Sequence, residues 1–206
     1  KNVESKISII TNLSSDHRER YNSIKDYILQ KENILSNKGF NLISIDDHYS
    51  KKIFNTKNNL RKISFSLRDS SADIYFNKTV IIDNFFYKNK SINKEKISKD
   101  LYGDFNKQNI LIAYICSKIL KIKKNIFLDT VSKFKGLPYR SEVIYNKKNC
   151  IIVNNSKSTN LNSTINSIKS FSNILLILGG IAKEKNFSKL LKFKNKILCA
   201  YIYGQS

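Results

Sequence analysis

The stretch CIIVNNSKSTNLNSTINSIKSFSNILLILGG, residues 150–180, contains two apolar runs separated by a long polar segment. The runs CIIV and ILLIL are short and rich in branched aliphatic residues, which is typical of buried strands. Residues 161–171 between them are predicted to form a helix, and KILCAYIYG (196–204) supplies a further apolar run. This alternation of strands and helices predicts an α/β fold with a parallel sheet.

The turn after the first run, NNSKSTN (154–160), has two interpretations. Ser, Thr and Asn accept hydrogen bonds from the free N–H groups at a helix start, so the segment is a cap on the first interpretation. On the second, the helix start and Lys157 together form an anion site, because both present positive charge to the same place. The residues of this turn leave both interpretations open.

Composition limits the function classes. A chain of 206 residues with 41% hydrophobic residues forms a core of ordinary size. The net charge of +21 is spread through every segment and accompanies no nucleic-acid-binding motif, so we expect a solvated basic surface and no specific nucleic acid. The apolar runs are too short to span a membrane. Cys116, Cys150 and Cys199 form no CxxC pair, so we expect a reducing cytoplasm.

The first residue is not expected to be the natural start, since the chain has no methionine and KNVESKISII lacks a signal-peptide layout. The proline–glycine segment FKGLPYR (134–140) is the best candidate for a domain boundary. Ahead of it, the periodicity predicts strands at 7–13, 40–47 and 62–67, a hairpin at 72–83, and amphipathic helices from Ile24 and after Gly103.

Two residues near the first predicted helix have side chains suited to metal or acid–base chemistry. His17 follows Asp16 at a strand-to-helix turn, where it is either a capping or surface residue or a metal ligand. Lys31 falls within the apolar face made by Tyr27, Ile28 and Ile34. Its ammonium either reaches water over that face, or is buried and becomes a reactive neutral amine that forms a carbamate with carbon dioxide.

Other candidates lie near glycines and turns. Asn106 and Asn109 share one edge of a helix start, which suits either capping or hydrogen bonding to a base. Arg140 is a candidate for forked contacts with phosphate or carboxylate, or for a structural ion pair. In LGGIAK (178–183), Lys183 follows a strand with two glycines, which is either a ligand-binding edge or a simple turn. No GxxxxGK[ST] phosphate loop occurs in the chain.

Five blocks follow one another along the chain: NLSSDHRERYNSIKDYILQK (12–31), LYGDFNKQN (101–109), FKGLPYRSE (134–142), VNNSKSTN (153–160) and LGGIAKEKNF (178–187). Together they resemble the Mur ligases of bacterial cell-wall synthesis. The family has a UDP-sugar-binding domain, a central ATPase domain with a phosphate loop and a Rossmann-like C-terminal domain. The resemblance implies that residues 1–136 are the later part of the central domain and 137–206 an incomplete C-terminal domain.

The resemblance implies an ATP- and Mg²⁺-dependent ligase, and is closest to members that add D-glutamate to UDP-N-acetylmuramoyl-L-alanine through an acyl phosphate in peptidoglycan synthesis. It implies a monomer. Alternatives are another amide ligase of the superfamily, such as a folylpolyglutamate synthase, or a basic binding module without catalysis. We expect the 206-residue chain alone to lack ligase activity.

Site roles follow from the same resemblance, position by position. His17 and a carbamylated Lys31 match magnesium ligands. Asn106, Asn109, Arg140, Asn155 and Lys157 match nucleotide-binding positions, with His17, Lys31 and Lys157 the catalytic ones, and Thr159 and Lys183 match D-glutamate positions. The chain departs from the family at Asn155, where an aspartate usually contacts the ribose, and at Phe105 and Tyr139, which replace histidines of the GxHN and GLPHR motifs.

Overall fold

A computed structural model describes residues 4–13, 21, 23–77, 80–87, 90–93, 101–181 and 186–204. The chain separates into two compact units, one of residues 1–96 and 108–129 and the other of residues 97–107 and 130–206. The domain boundary near Gly136 and Pro138 stays a prediction. No helix within the described ranges is both long and apolar enough to cross a bilayer.

In the described part of the first unit, six strands form one sheet in the order β1-β2-β3-β4-β5-β6. The first four are parallel, whereas β5 pairs antiparallel with β4 and β6 antiparallel with β5. The predicted strands and hairpin of this unit are therefore confirmed. The strands are β1 (Ile7–Ile10), β2 (Phe40–Ser44), β3 (Lys62–Ser66), β4 (Ile74–Asn77), β5 (Val80–Asp83) and β6 (Lys90–Asn93).

Two short helices pack on β1 and β2 and cover part of the core of this unit. Ser23 caps α1 (Ile24–Glu32) by accepting the Asp26 N–H, and Asp47 caps α2 (His48–Thr56) by accepting the Ser50 N–H. Both helices cover the same region of the sheet, and their apolar side chains pack with buried strand residues in one cluster. That cluster consists of Ile10, Leu13, Tyr27, Ile43 and Ile53.

Helix α3 (Asp104–Ile119) buries the apolar stripe that the sequence predicted, with Leu111 and Ile115 fully buried. Helix α4 (Lys124–Lys133) follows it and places the Phe127 ring against Tyr114, with the two ring centroids 5.7 Å apart. The helix predicted after Gly103 is therefore confirmed.

The second unit contains two separate pairs of strands among its described residues. Strands β9 (Ile174–Gly180) and β10 (Ile197–Gly204) are parallel, as predicted, and a 3-10 helix (Ser188–Lys196) precedes β10. Strand β8 (Cys150–Asn154) instead pairs antiparallel with β7 (Glu142–Lys147). The α/β class is confirmed, but the prediction that CIIV belongs to a parallel sheet is wrong.

The cause of this difference is the turn between β7 and β8. Lys148 and Asn149 have φ values of 46° and 62°, so both central residues are in the left-handed region. Two such residues form the tight turn whose twist matches a two-stranded antiparallel hairpin. Helix α5 (Leu161–Ile168) follows β8 and buries Leu161, Ile165 and Ile168, which gives this unit its core.

Candidate functional site

Two backbone segments of the second unit, GLPYR (136–140) and NNSKSTN (154–160), are joined by hydrogen bonds. The Ser141 N–H donates to Asn155 Oδ1 at 3.1 Å, and the Lys157 N–H donates to the Tyr139 carbonyl at 3.1 Å. The two bonds therefore involve Tyr139 and Ser141, the residues on either side of Arg140. Arg140, Asn155 and Lys157, which the sequence analysis selected separately, therefore belong to one local cluster.

The backbone around Arg140 is held in an unusual conformation. Tyr139 and Ser141 have φ values of 64° and 50°, a region that costs side-chain-bearing residues about 1 kcal/mol or more each. Bonds from the Tyr139 N–H to Glu142 Oε2 (2.9 Å) and from the Arg140 N–H to the Leu137 carbonyl (3.2 Å) maintain it. Such conformations cluster at binding sites, where surrounding contacts stabilise them.

The charged side chains of this cluster are open to solvent. Arg140 and Lys157 are exposed, and neither forms an ion pair with any residue in the described ranges. Asn155 is half-buried, and its Oδ1 accepts the Ser141 N–H. Two neighbouring cations without a carboxylate partner are an arrangement suited to an anionic ligand such as phosphate.

The capping interpretation of the polar turn is confirmed. Asn160 Oδ1 accepts the Ser163 N–H at 2.8 Å at the start of α5, and Ser158 Oγ lies 3.2 Å from Thr164 Oγ1. Neither Lys157 nor Thr159 supplies the cap, and both side chains are exposed. The two interpretations are therefore compatible, since the cap leaves Lys157 available for an anion.

The asparagines of α3 differ in their environments. Asn106 is half-buried and its Nδ2 donates to the Tyr102 carbonyl at 2.8 Å, whereas Asn109 is exposed. Gln108, which the sequence analysis did not select, donates from Nε2 to the Thr11 carbonyl at 3.0 Å. Thr11 directly follows β1, so Gln108 fixes the position of α3 at the carboxyl edge of the sheet. The sequence signal that could have identified Gln108 is its position between Asn106 and Asn109.

The sequence analysis also did not select Asp46 and Asp47, although two adjacent aspartates directly after an apolar run are typical of a strand end. Asp47 accepts the Leu13 N–H at 3.2 Å in addition to capping α2. Asp46 accepts the Leu67 N–H at 3.0 Å and the Ser66 hydroxyl. Both carboxylates are used to hold the loops after β1, β2 and β3 together.

A third carboxylate at this edge, that of Asp69, is paired with a lysine. The Lys51 ammonium lies 2.8 Å from Asp69 Oδ2, and the Ser71 hydroxyl and N–H also donate to this carboxylate. The bond from Lys51, followed by those from Ser71, holds the pKa of Asp69 well below its usual range. Asp69 is therefore an ion-paired surface residue of the loop after β3.

The predicted metal ligands are only partly described. His17 and Lys183 lie outside the described residues. Lys31 is exposed, with Nζ 5.5 Å from the Tyr27 ring centroid, so of its two interpretations the one in which the ammonium reaches water is confirmed. In the described ranges, no three His, Cys, Asp or Glu side chains are grouped as a metal site. The roles of His17 and Lys31 stay predictions.

Comparison with known proteins gives consistent relatives over the whole chain. UDP-N-acetylmuramoylalanine–D-glutamate ligase of Rickettsia prowazekii is 32% identical over 212 residues, covering 100% of this chain and 47% of that protein. The enzyme of the same name from Buchnera aphidicola is 35% identical, covering 99% and 47%. The chain thus spans about half the length of the curated relatives it matches.

A solved structure shares the fold at lower identity. MurF from Acinetobacter baumannii matches with a TM-score of 0.67 and 12% identity, covering 96% of this chain and 51% of that one. The family model described as "Mur ligase middle domain" matches residues 1–117, which is more than half of the chain. The chain therefore belongs to the Mur ligase family.

Proposed function

We propose that this chain is part of an ATP-dependent ligase that joins D-glutamate to UDP-N-acetylmuramoyl-L-alanine in peptidoglycan synthesis. The observation that carries the proposal is that two hydrogen bonds join the segments of Arg140 and Lys157. The Lys157 N–H donates to the Tyr139 carbonyl and the Ser141 N–H donates to Asn155 Oδ1. The names of relatives that align over the full length of the chain support the choice of D-glutamate as the added amino acid.

The reaction needs two nucleophilic steps. The carboxylate of UDP-N-acetylmuramoyl-L-alanine attacks the γ-phosphorus of ATP, which gives an acyl phosphate and ADP. The amine of D-glutamate then attacks the acyl carbon, an amide bond forms and inorganic phosphate leaves. Both steps concentrate negative charge on phosphate oxygens, so fixed cations in a site closed to water lower the barrier.

In this proposal Arg140 and Lys157 bind the phosphate groups of ATP. Both side chains are exposed and without ion pairs among the described residues, so binding a phosphate breaks no existing pair. The bonds on either side of Arg140 fix the backbone from which its guanidinium extends, which reduces the entropy lost when a phosphate binds.

Asn155 holds the Ser141 backbone through its side-chain oxygen, which accepts the Ser141 N–H. The aspartate that the family usually has at this position would also have an oxygen for this bond. The remaining Nδ2 group forms no hydrogen bond within the described residues. We propose that it donates to a ribose hydroxyl, whereas an aspartate would accept from that hydroxyl. The departure at Asn155 is on this view compatible with nucleotide binding.

The same proposal assigns residues to Mg²⁺, to the base of ATP and to D-glutamate. We assign a carbamate to Lys31 from the family resemblance alone, since its amine is exposed; carbamate oxygens are ligands that Mg²⁺ prefers. Mg²⁺ bound by carbamylated Lys31 and His17 would neutralise phosphate charge. Asn106 and Asn109 would contact the base of ATP, and Thr159 and Lys183 the carboxylates of D-glutamate.

The test measures ATP-dependent incorporation of radiolabelled D-glutamate by the natural protein that contains this chain. We expect Arg140→Ala and Lys157→Ala each to lower kcat/KM by about 100-fold, the scale for a lost transition-state contact. Lys147→Ala is the matched control, because Lys147 is an exposed lysine at the end of β7. Its activity should equal that of the unchanged protein.

Three results would contradict the proposal. One is full activity in Lys157→Ala, and another is incorporation of L-glutamate into a folate acceptor in preference to D-glutamate into the UDP-sugar. A protein that ignores both ATP and the UDP-sugar but binds DNA in a salt-dependent manner would be a basic binding module instead.

A further inference from the structure

A cavity of about 500 Å³ lies in the first unit at the edge of the sheet where the parallel strands begin. Lys6 precedes β1, Gly39 precedes β2 and Arg61 precedes β3, and all three residues line the cavity. Leu120 and Lys121, just past the end of α3, close another side. The carboxylates Asp46 and Asp47 follow a strand and so lie at the opposite edge, which makes this cavity a separate feature.

The cavity is strongly basic. Its lining has four cations (Lys6, Lys38, Arg61 and Lys121) and one carboxylate (Glu4), which leaves a net charge of +3. Glu4 pairs with Lys38 at 2.8 Å. Within the described residues, the other three cations form no ion pair. An anion entering the cavity would therefore meet three charges that are not already neutralised.

One wall of the cavity offers flat and apolar surface. The guanidinium carbon of Arg61 lies 4.5 Å from the centroid of the Phe40 ring, so the two planar groups hold one another in place. Leu120 is 52% exposed beside them. A ligand that has only charge would leave this surface in contact with water, whereas a ligand with a planar ring would cover it.

The backbone of the cavity is fixed by a buried amide. Asn41 is fully buried, its Oδ1 accepts the Ser36 N–H at 2.8 Å, and its Nδ2 donates to the Ser36 carbonyl at 2.8 Å and the Arg61 carbonyl at 3.3 Å. Ser36 Oγ in turn accepts the Gly39 N–H at 3.0 Å. These bonds tie the turn before β2 to the residue before β3, so the wall is ordered before a ligand arrives.

Lys121 reaches the cavity from a position where glycine is usual. The Ile122 N–H donates to the Ser117 carbonyl and the Lys121 N–H to the Lys118 carbonyl, the pattern that ends a helix with one left-handed residue. That residue is Lys121, with φ of 58°. A lysine in this conformation is strained, and strain at a cavity wall is a feature of functional positions.

We propose that this cavity binds a phosphate-bearing small molecule with a planar ring, the chemistry of a free nucleotide, at a site separate from that of the ligase reaction. The phosphate group contacts Lys6 and Lys121. The ring lies against the Arg61 guanidinium and Leu120. The volume of about 500 Å³ is within the usual range for small-molecule sites and far exceeds that of a phosphate ion.

The test is a titration of the ¹⁵N-labelled protein with adenosine monophosphate (AMP), followed by NMR. We expect saturable shifts of the Gly39, Arg61 and Lys121 amide signals. Inorganic phosphate and adenosine should each bind about tenfold more weakly than AMP, because each makes only one of the two kinds of contact. Shifts of these amides do not depend on ligation, so a failed ligase assay leaves this result unaffected.

Variants separate a binding site from general charge attraction. Arg61→Ala and Lys121→Gly should each weaken AMP binding about tenfold, while Lys121→Gly also raises Tm because it removes the strain. Lys52→Ala is the control, since Lys52 is an exposed lysine on α2. Equal weakening by Lys52→Ala, phosphate binding as tight as AMP, shifts confined to other residues, or much tighter binding of an RNA oligonucleotide would each overturn the proposal.

Discussion

Asp83 is a fully buried carboxylate at the end of β5, and three donors satisfy it. The Tyr114 hydroxyl donates to Oδ2 at 2.5 Å, and the Phe85 and Phe86 N–H groups donate to Oδ1 at 3.0 and 2.8 Å. Because a buried carboxylate is costly when it loses a partner, we expect the contact between Asp83 and Tyr114, which joins β5 to α3, to be sensitive to substitution.

Replacing Tyr114 with phenylalanine should lower the free energy of unfolding by about 1–3 kcal/mol, because one hydrogen bond to a buried carboxylate is lost while the ring is retained. Urea unfolding measures this difference. The control is Tyr75→Phe, since the Tyr75 hydroxyl has no hydrogen bond among the described residues. Equal stability of the Tyr114→Phe variant and the unchanged protein would show that the contact contributes nothing.

The same tyrosine predicts a loss of stability in alkali. Burial, and then the bond to Asp83, raise the pKa of Tyr114 far above its ordinary value of 10.0. Above pH 10 the unfolded chain loses this proton and the folded chain keeps it, so the unfolded state is favoured by about 1.4 kcal/mol per pH unit. The free energy of unfolding of the Tyr114→Phe variant, measured between pH 9 and about 11, should therefore fall less steeply with pH than that of the unchanged protein.

A substitution at Lys121 is expected to stabilise the protein, unlike the substitution of Tyr114. Its left-handed backbone costs about 1–2 kcal/mol, and the flexibility of an unfolded glycine offsets part of the gain from relieving it. We expect Lys121→Gly to stabilise the protein by about 0.5–1 kcal/mol in urea unfolding. Lys121→Ala, which keeps the strain and removes the charge, is the control and should not be stabilised.

At the residue scale the sequence predicted part of the candidate site. Arg140, Asn155 and Lys157 stood out because they occur in turns, where local patterns are informative. The bond from Ser141 to Asn155 was not predictable, because it joins positions 14 residues apart whose contact depends on the fold. The sequence left the exposure of Lys31 open, since its spacing matches an apolar face that the helix does not bury at that position.

Among the elements, α2 was not predicted because its nine residues, HYSKKIFNT, are mostly polar. Its start depends on Asp47, which binds the Ser50 N–H at 2.9 Å and the Leu13 N–H at 3.2 Å. Strands β1 to β3 were predicted because their apolar runs are short and bounded by polar residues. Strand β8 was assigned to the wrong sheet, since Lys148-Asn149 lacks the glycine that marks most tight hairpin turns.

The double role of Asp47 makes the entry to α2 sensitive to substitution. Asp47→Ala should lower the free energy of unfolding by about 2 kcal/mol, more than the loss of about 1 kcal/mol expected for Ser23→Ala, which removes only a cap. Asp47→Asn retains one acceptor and should fall between them. Thermal or urea unfolding of the three variants gives the order, and equal losses for Asp47→Ala and Ser23→Ala would exclude a role for the bond to Leu13.

For the molecule as a whole, the net charge of +21 comes from lysines spread through every segment. Some of these have specific contacts, such as Lys196, whose Nζ donates to the Lys169 carbonyl at 2.8 Å and the Phe171 carbonyl at 3.0 Å beyond the end of α5. Sixteen acidic side chains against 37 basic ones cannot neutralise the rest. Charge repulsion therefore acts across the folded surface.

This repulsion predicts that moderate salt stabilises the protein. The screening length falls from about 30 Å at 0.01 M salt to about 10 Å at 0.1 M, so repulsion between distant lysines weakens while close ion pairs such as Lys51–Asp69 lose less. The urea midpoint should therefore rise between these two sodium chloride concentrations. Sucrose at equal osmolality controls for general solute effects, and a midpoint that falls with salt would mean that ion pairs outweigh the repulsion that the composition implies.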